Sequence, residues 1–116
     1  MSTDSIAKQK SMAFAIRIVH LYRHLGEEHH EYVMSKQLLR SGTSIGANIA
    51  EAIYGSSRRD FAAKLQIADK EAAETLSWLE LLNKCSYIPD KLYHSLRSDC
   101  SELWAILSAS IRSISN

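Results

Sequence analysis

Apolar residues recur along this chain in steps of three and four. Phe14, Ile18, Leu21 and Leu25 are spaced four, three and four, one face of a helix over about residues 5–25. Thr3 or Asp4 is placed to cap its start, and Gly26 fits the left-handed position just past its end. A second stripe, Leu38, Gly42, Ile45, Ile49 and Ala52, predicts a helix over about 32–54 that stops at Gly55. Ser57 with Asp60 resembles a capping box and opens a third helix, about 58–84, striped by Phe61, Leu65, Ala68, Ala72, Leu76, Leu79 and Leu82. Ile88-Pro89-Asp90 is a stop and restart, followed by Leu92, Leu96, Cys100, Leu103, Leu107 and Ile114 in a helix over about 90–114. Amphipathic helices of this length joined by short links predict an all-α, up-down-up-down antiparallel four-helix bundle, one domain over residues 1–116.

Composition agrees with that reading. One proline and four glycines in 116 residues are too few breakers for a strand-rich fold. No apolar run reaches the roughly 20 residues of a membrane span, and the start MSTDSIAKQKS does not read as a signal peptide. Cys85 and Cys100 form no CxxC motif, so a reduced, cytoplasmic protein without a membrane role is expected. The formal charge is only +1, but the cations are clustered. Lys8, Lys10, Arg17 and Arg23 lie on the first helix; Lys36, Arg40, Arg58, Arg59 and Lys64 surround the second-to-third helix junction. Repeated around an assembly, such clusters would attract phosphate without reading sequence.

RSGTSIGANIAEA, residues 40–52, is the unusual stretch, because each glycine within a helix costs about 1 kcal/mol relative to alanine. GTSIG matches the GxSxG elbow around Ser44, but that chemistry needs a strand-to-helix turn, which the unbroken helical stripe denies. A phosphate loop needs the same strand–loop–helix setting, and no lysine follows Gly46. Close packing explains the stretch better. Gly42, Gly46 and Ala50, with Thr43 and Ala47 beside them, leave a ridge that a neighbouring helix or subunit can approach closely. Asn48 is expected to bond across to Glu71 or Glu74, while Arg40 or Arg58 neutralises a carboxylate, a polar network that sets register.

Metal and nucleophile chemistry finds no complete set. His20 and His24 share a helix face but lack the glutamate of HExxH, and EEHHE holds a single ExxH, so no metal and no cofactor is expected. No serine or cysteine can be joined to a base and an orienting acid, so no catalytic residue and no enzyme activity is expected. Ile16, Val19, Ile67, Trp78, Leu81, Trp104 and Ile111 fall outside the main stripes, apolar surface that predicts a subunit interface.

LLRSGTSIGANIAEA, with the spacing to SRRDFAAKLQIADKEAAETLSWLELL, closely resembles the bacterial four-helix-bundle proteins encoded by intervening sequences in 23S rRNA genes, also described as ribosomal-protein-like. The similarity spans the whole architecture and is most specific from Leu38 to Leu82. A related protein is the accessory variability protein of diversity-generating retroelements, a ring-shaped homopentamer that binds nucleic acid and its cognate reverse transcriptase. The resemblance implies a homopentameric ring of bundles, with no defined active site. The positions it marks for helix packing or oligomerisation include Ser41, Gly42, Ser44, Asn48, Ala50 and Glu51 on the second helix, and Glu71, Glu74 and Trp78 on the third; Gly46 joins them on the close-packing argument. The functional expectation is a non-enzymatic oligomer that binds RNA or DNA backbone as an accessory factor. The alternative is a structural or protein-binding scaffold without a nucleic-acid role.

Overall fold

The computed structural model describes residues 3–115, and side chains from Ile6 to Ile114. The capping role expected of Thr3 or Asp4 lies outside the described side chains. The helices are α1 (Thr3–His29), α2 (Met34–Ile53), α3 (Arg58–Lys84) and α4 (Asp90–Ser115). Among the described residues there is no strand. Each helix packs on the next, and α4 returns against α1. The resulting rod measures 44 × 21 × 21 Å.

The core follows the stripes. Phe14, Ile18, Leu21 and Leu25 are buried from α1, and Leu38, Ile45, Ile49 and Ala52 from α2. Leu65, Ala68, Ala72, Leu79 and Leu82 join from α3, and Leu96, Cys100, Leu103 and Leu107 from α4. Phe61, Leu76, Leu92 and Ile114 lie at the margin, half-buried. The Thr75 hydroxyl, fully buried, donates to the Glu71 carbonyl at 2.7 Å and lies within hydrogen-bond distance, 2.9 Å, of the Ser41 hydroxyl across the seam. Burying both hydroxyls is tolerated because each finds a partner. Both thiols are free; burial, helped by Asp99, pushes Cys100 up to about 12 and leaves it a packing residue.

Two helix ends differ from the sequence expectation. α1 does not stop at Gly26: it continues to His29, and His30 takes the left-handed conformation at φ 53°. Gly26 serves close approach instead. A Cβ there would lie 2.8 Å from Cε1 of Tyr32, whose hydroxyl donates to the Gly26 carbonyl at 3.0 Å. α2 begins at Met34, two residues later than expected, because Glu31 reaches forward to cap it. The Glu31 carboxylate accepts from the backbone N–H groups of Val33 and Met34, both at 3.1 Å, and of Ser35 at 2.8 Å. These are the donors that a helix start leaves without partners.

The other ends match the expectation more closely. Ser57 caps α3 by accepting from the Asp60 N–H at 3.0 Å. The Asp60 carboxylate accepts from the Ser56 N–H at 3.3 Å rather than from that of the cap residue, so the box is displaced by one residue. α3 closes with Ser86 left-handed at φ 67°. There Ser86 N–H donates to the Asn83 carbonyl at 3.0 Å and Tyr87 N–H to that of Leu82 at 2.9 Å, the paired bonds of a Schellman ending.

Candidate nucleic-acid interface and helix-packing motif

The glycine ridge of α2 faces α1 of the same chain. A Cβ on Gly42 would stand 3.0 Å from two carbons of Ile18, and one on Gly46 would stand 3.1 Å from the Ser11 hydroxyl. Past this close approach the seam opens into a shallow groove of about 100 Å³, where Thr43, Gly46, Ala47 and Ala50 face Met12 and Ala15. Met12 is 61% exposed and Ile16, one turn on, 51%. Ser44 lies in mid-helix, and its hydroxyl donates to the Arg40 carbonyl at 2.6 Å. The GTSIG pattern therefore sits within regular helix and not on an elbow.

Ser41, Glu51, Lys64, Glu71, Glu74 and Trp78 take part in the bonds along the α2–α3 seam, but the network differs from the one expected. Asn48 does not cross to α3; its amide donates to the Ser44 carbonyl at 2.8 Å, one turn back on its own helix. Arg40 makes the crossing, donating to Glu71 at 2.9 Å and to Glu74. Arg40 has the length to span the seam, and the Asn48 side chain is spent on its own backbone. Trp78 Nε1 donates to the same Glu74 oxygen at 2.9 Å. The Arg40 hydrogen bond, with that of Trp78, holds the Glu74 carboxyl below its ordinary value against the opposing effect of burial. Arg58 contacts no carboxylate among the described residues; its guanidinium donates to the Ile114 carbonyl at 3.3 Å.

The nine cations singled out from the sequence separate into two sets. Lys10 pairs with Glu102 at 2.9 Å and Arg17 with Asp99 at 2.6 Å, bracing the α1–α4 seam. Lys64 pairs with Glu51 at 3.0 Å and Arg40 with Glu71 and Glu74, bracing α2–α3. Lys8, Arg23, Lys36, Arg58 and Arg59 have no carboxylate partner among the described residues. Carboxylate partners on the neighbouring helices thus take up part of the positive charge; Lys70, Lys84, Lys91, Arg97 and Arg112 likewise have no carboxylate partner among the described residues. The unpaired members of the nine do not form one patch. Lys8, Arg58 and Arg59 lie at the α2–α3 end, while Lys36, in the first turn of α2, and Arg23 lie toward the α1–α2 link at the other end of the rod, so Lys36 does not join the second-to-third helix junction as expected. Two residues that pattern reading passes over stand with Lys8 and Arg58. Tyr54, 79% exposed, has Lys8 Nζ 5.7 Å above its ring, and Arg112 occupies the last turn of α4. Their signals were an aromatic at a helix end and a cation near a chain end, both common enough to pass unnoticed.

His20 and His24 line one pocket with Arg17, as their spacing on one face predicts. His24 also meets His29 edge to face at 5.6 Å, and His29 meets Tyr87 at 5.7 Å. Among the described residues no three histidines, cysteines or carboxylates are grouped to hold a metal ion. Among the same residues no helix is long and apolar enough to cross a membrane. Of the leftover apolar residues, Ile16, Ile67, Leu81 and Trp104 are exposed, while Val19, Trp78 and Ile111 are half-buried.

A four-helix bundle with a glycine-tightened α1–α2 seam and a charged α2–α3 strap is the class these features define. Within that class, the chain belongs to the 23S rRNA-intervening sequence protein family, whose model matches residues 3–109. It is similar to a crystal structure of a protein with unknown function from the S23 ribosomal protein family of Bacteroides thetaiotaomicron. The two share 52% identity over 96% of this chain and 99% of the other, with a TM-score of 0.94. No curated protein matches the chain.

Proposed function

We propose that this protein is a non-enzymatic homo-oligomer that binds RNA or DNA through the phosphate backbone. The observation that carries the reading is that Lys8, Arg23, Lys36, Arg58 and Arg59 have no carboxylate partner among the described residues. Cations of this kind draw in phosphate and release counterions, without sequence preference. Self-association is supported by the exposed apolar residues beside the small-residue groove, Met12 and Ile16, and by Ile67, Leu81 and Trp104 elsewhere on the surface. The ring and its pentameric number rest on the family resemblance alone.

The same apolar surface favours a second reading, in which the oligomer is a scaffold for a partner protein and takes no nucleic acid. Light scattering on a sizing column, with and without a generic RNA oligonucleotide at low and moderate salt, separates the two. A pentamer-sized species that co-elutes with RNA and sheds it as salt rises supports the first reading. A ring that ignores RNA at low salt supports the scaffold, and a monomer overturns the assembly.

A further inference from the structure

We propose that the α2–α3 end of the bundle is a site for single-stranded nucleic acid, in which Tyr54 stacks on a base while Arg58, Arg59 and Lys8 hold the flanking phosphates. This rests on the nucleic-acid reading above and makes it specific: one place on the surface, and single strands over duplex.

Tyr54 is the most exposed large apolar side chain among the described residues, at 79%, and the core has no use for its ring. Its backbone is nevertheless held. Tyr54 N–H donates to the Ala50 carbonyl at 3.2 Å and Gly55 N–H to the Ala52 carbonyl at 3.0 Å. Gly55 is packed so closely that a Cβ there would lie 2.7 Å from the Asp60 carboxylate. The ring therefore projects from a fixed turn, which lowers the ordering cost of stacking on it. Lys8 covers one face at 5.7 Å and brings a cation to the ring.

The charges at this end point the same way. Arg58 and Arg59 follow the ring within five residues and are exposed. One Arg58 nitrogen is tied to the Ile114 carbonyl at 3.3 Å, which fixes the side chain and leaves its other donors available. That hydrogen bond also brings the last turn of α4, with Arg112, to this end of the rod. Of the nearby described carboxylates, Asp60 accepts from the Ser56 N–H and Glu51 is paired with Lys64. Cations around a rigid, exposed aromatic match what single strands offer, phosphates alternating with open base faces. A duplex interior keeps those faces stacked, so the ring would gain nothing from it.

The test is fluorescence anisotropy with labelled oligonucleotides of about ten nucleotides, as RNA, as DNA and as the matching duplex, over a range of salt. Wild-type protein is expected to prefer single strands. Tyr54→Ala should weaken that binding about fivefold to a hundredfold and leave the salt slope unchanged, because stacking involves no counterion. Tyr54→Trp should bind at least as well as wild type. Arg58→Ala with Arg59→Ala should reduce the slope by about 0.7 for each phosphate that is no longer neutralised. Melting temperatures check that these surface variants remain folded. Binding to RNA alone would assign the site to RNA, and equal binding to both would assign it to single strands generally. Binding that is indifferent to Tyr54→Ala, or as strong to duplex, overturns this site and leaves the proposed function standing. No binding to any oligonucleotide at low salt overturns both.

Discussion

Gly42 of α2 lies directly against Ile18 of α1, so that a Cβ on the glycine would stand 3.0 Å from both Cγ1 and Cγ2 of the isoleucine. Ile18 is fully buried and β-branched, with nowhere to turn. Gly46, one turn on, faces Ser11, whose hydroxyl would lie 3.1 Å and Cβ 3.4 Å from a Cβ on this glycine. The two glycines share a ridge but have unequal reasons for being glycine.

Gly42→Ala gains about 1 kcal/mol of helix propensity but overpacks a filled core, which costs about 1–3 kcal/mol. We expect a net loss of about 1 kcal/mol, roughly 4 °C in Tm for a chain of this size. Gly46→Ala presses mainly on the Ser11 hydroxyl, which can shift along its bond to the Lys8 carbonyl more readily than Ile18 can move, so its Tm should stay level or rise. Thermal denaturation of the two variants side by side checks this, and a Gly42→Ala protein more stable than Gly46→Ala would show that Ile18 is not the barrier.

The Glu31 cap gives a pH-dependent prediction. Burial alone would raise this carboxyl, but the N–H groups of Ser35, Met34 and Val33 outweigh it and hold it below its ordinary value. A folded pKa below the unfolded one means stability present above the unfolded value, near about 4.3, and lost as pH falls through the folded one. Glu31→Gln should therefore cost about 1 kcal/mol at neutral pH, as for loss of a good helix cap. Urea melts at a series of pH values should show the gap closing below about pH 4. A gap that persists unchanged into strong acid would mean that the charge is not what caps α2.

Glu74 should be visible through Trp78. The indole donates to the carboxylate that Arg40 also holds, so protonating Glu74 alters the surroundings of the ring. With Trp104→Phe removing the other tryptophan, Trp78 emission should titrate below the ordinary carboxylate range, since the folded pKa is depressed. Adding Arg40→Ala should move that midpoint upward. Because Arg40 is about half exposed, the same change should cost less than about 1 kcal/mol of stability, and less still at high salt. An emission midpoint that ignores Arg40→Ala would place the arginine outside the titration.

The helices were legible because helical periodicity is local: a run of threes and fours shows its face whatever it packs against. Ser57 could be read as a cap for the same reason, since cap and capped N–H lie three residues apart. Gly26 misled because glycine at a helix end usually marks a left-handed stop. Here its missing side chain admits the ring of Tyr32, an approach set by how the chain turns between α1 and α2.

What the amino-acid sequence determined by itself is the element list, the buried faces, the family and the presence of surplus cations. Only the tertiary structure decided which groups meet. The ridge of Gly42 and Gly46 receives α1 of its own chain, Arg40 rather than Asn48 crosses to α3, and Lys10, Arg17, Arg40 and Lys64 are paired with carboxylates while, among the described residues, Arg58 and Arg59 are not. The physical reason is that a charge or a small side chain acts on whatever lies within a few ångströms. Across a seam, that neighbour is chosen by the rotation and register of a second helix, which no single stripe records.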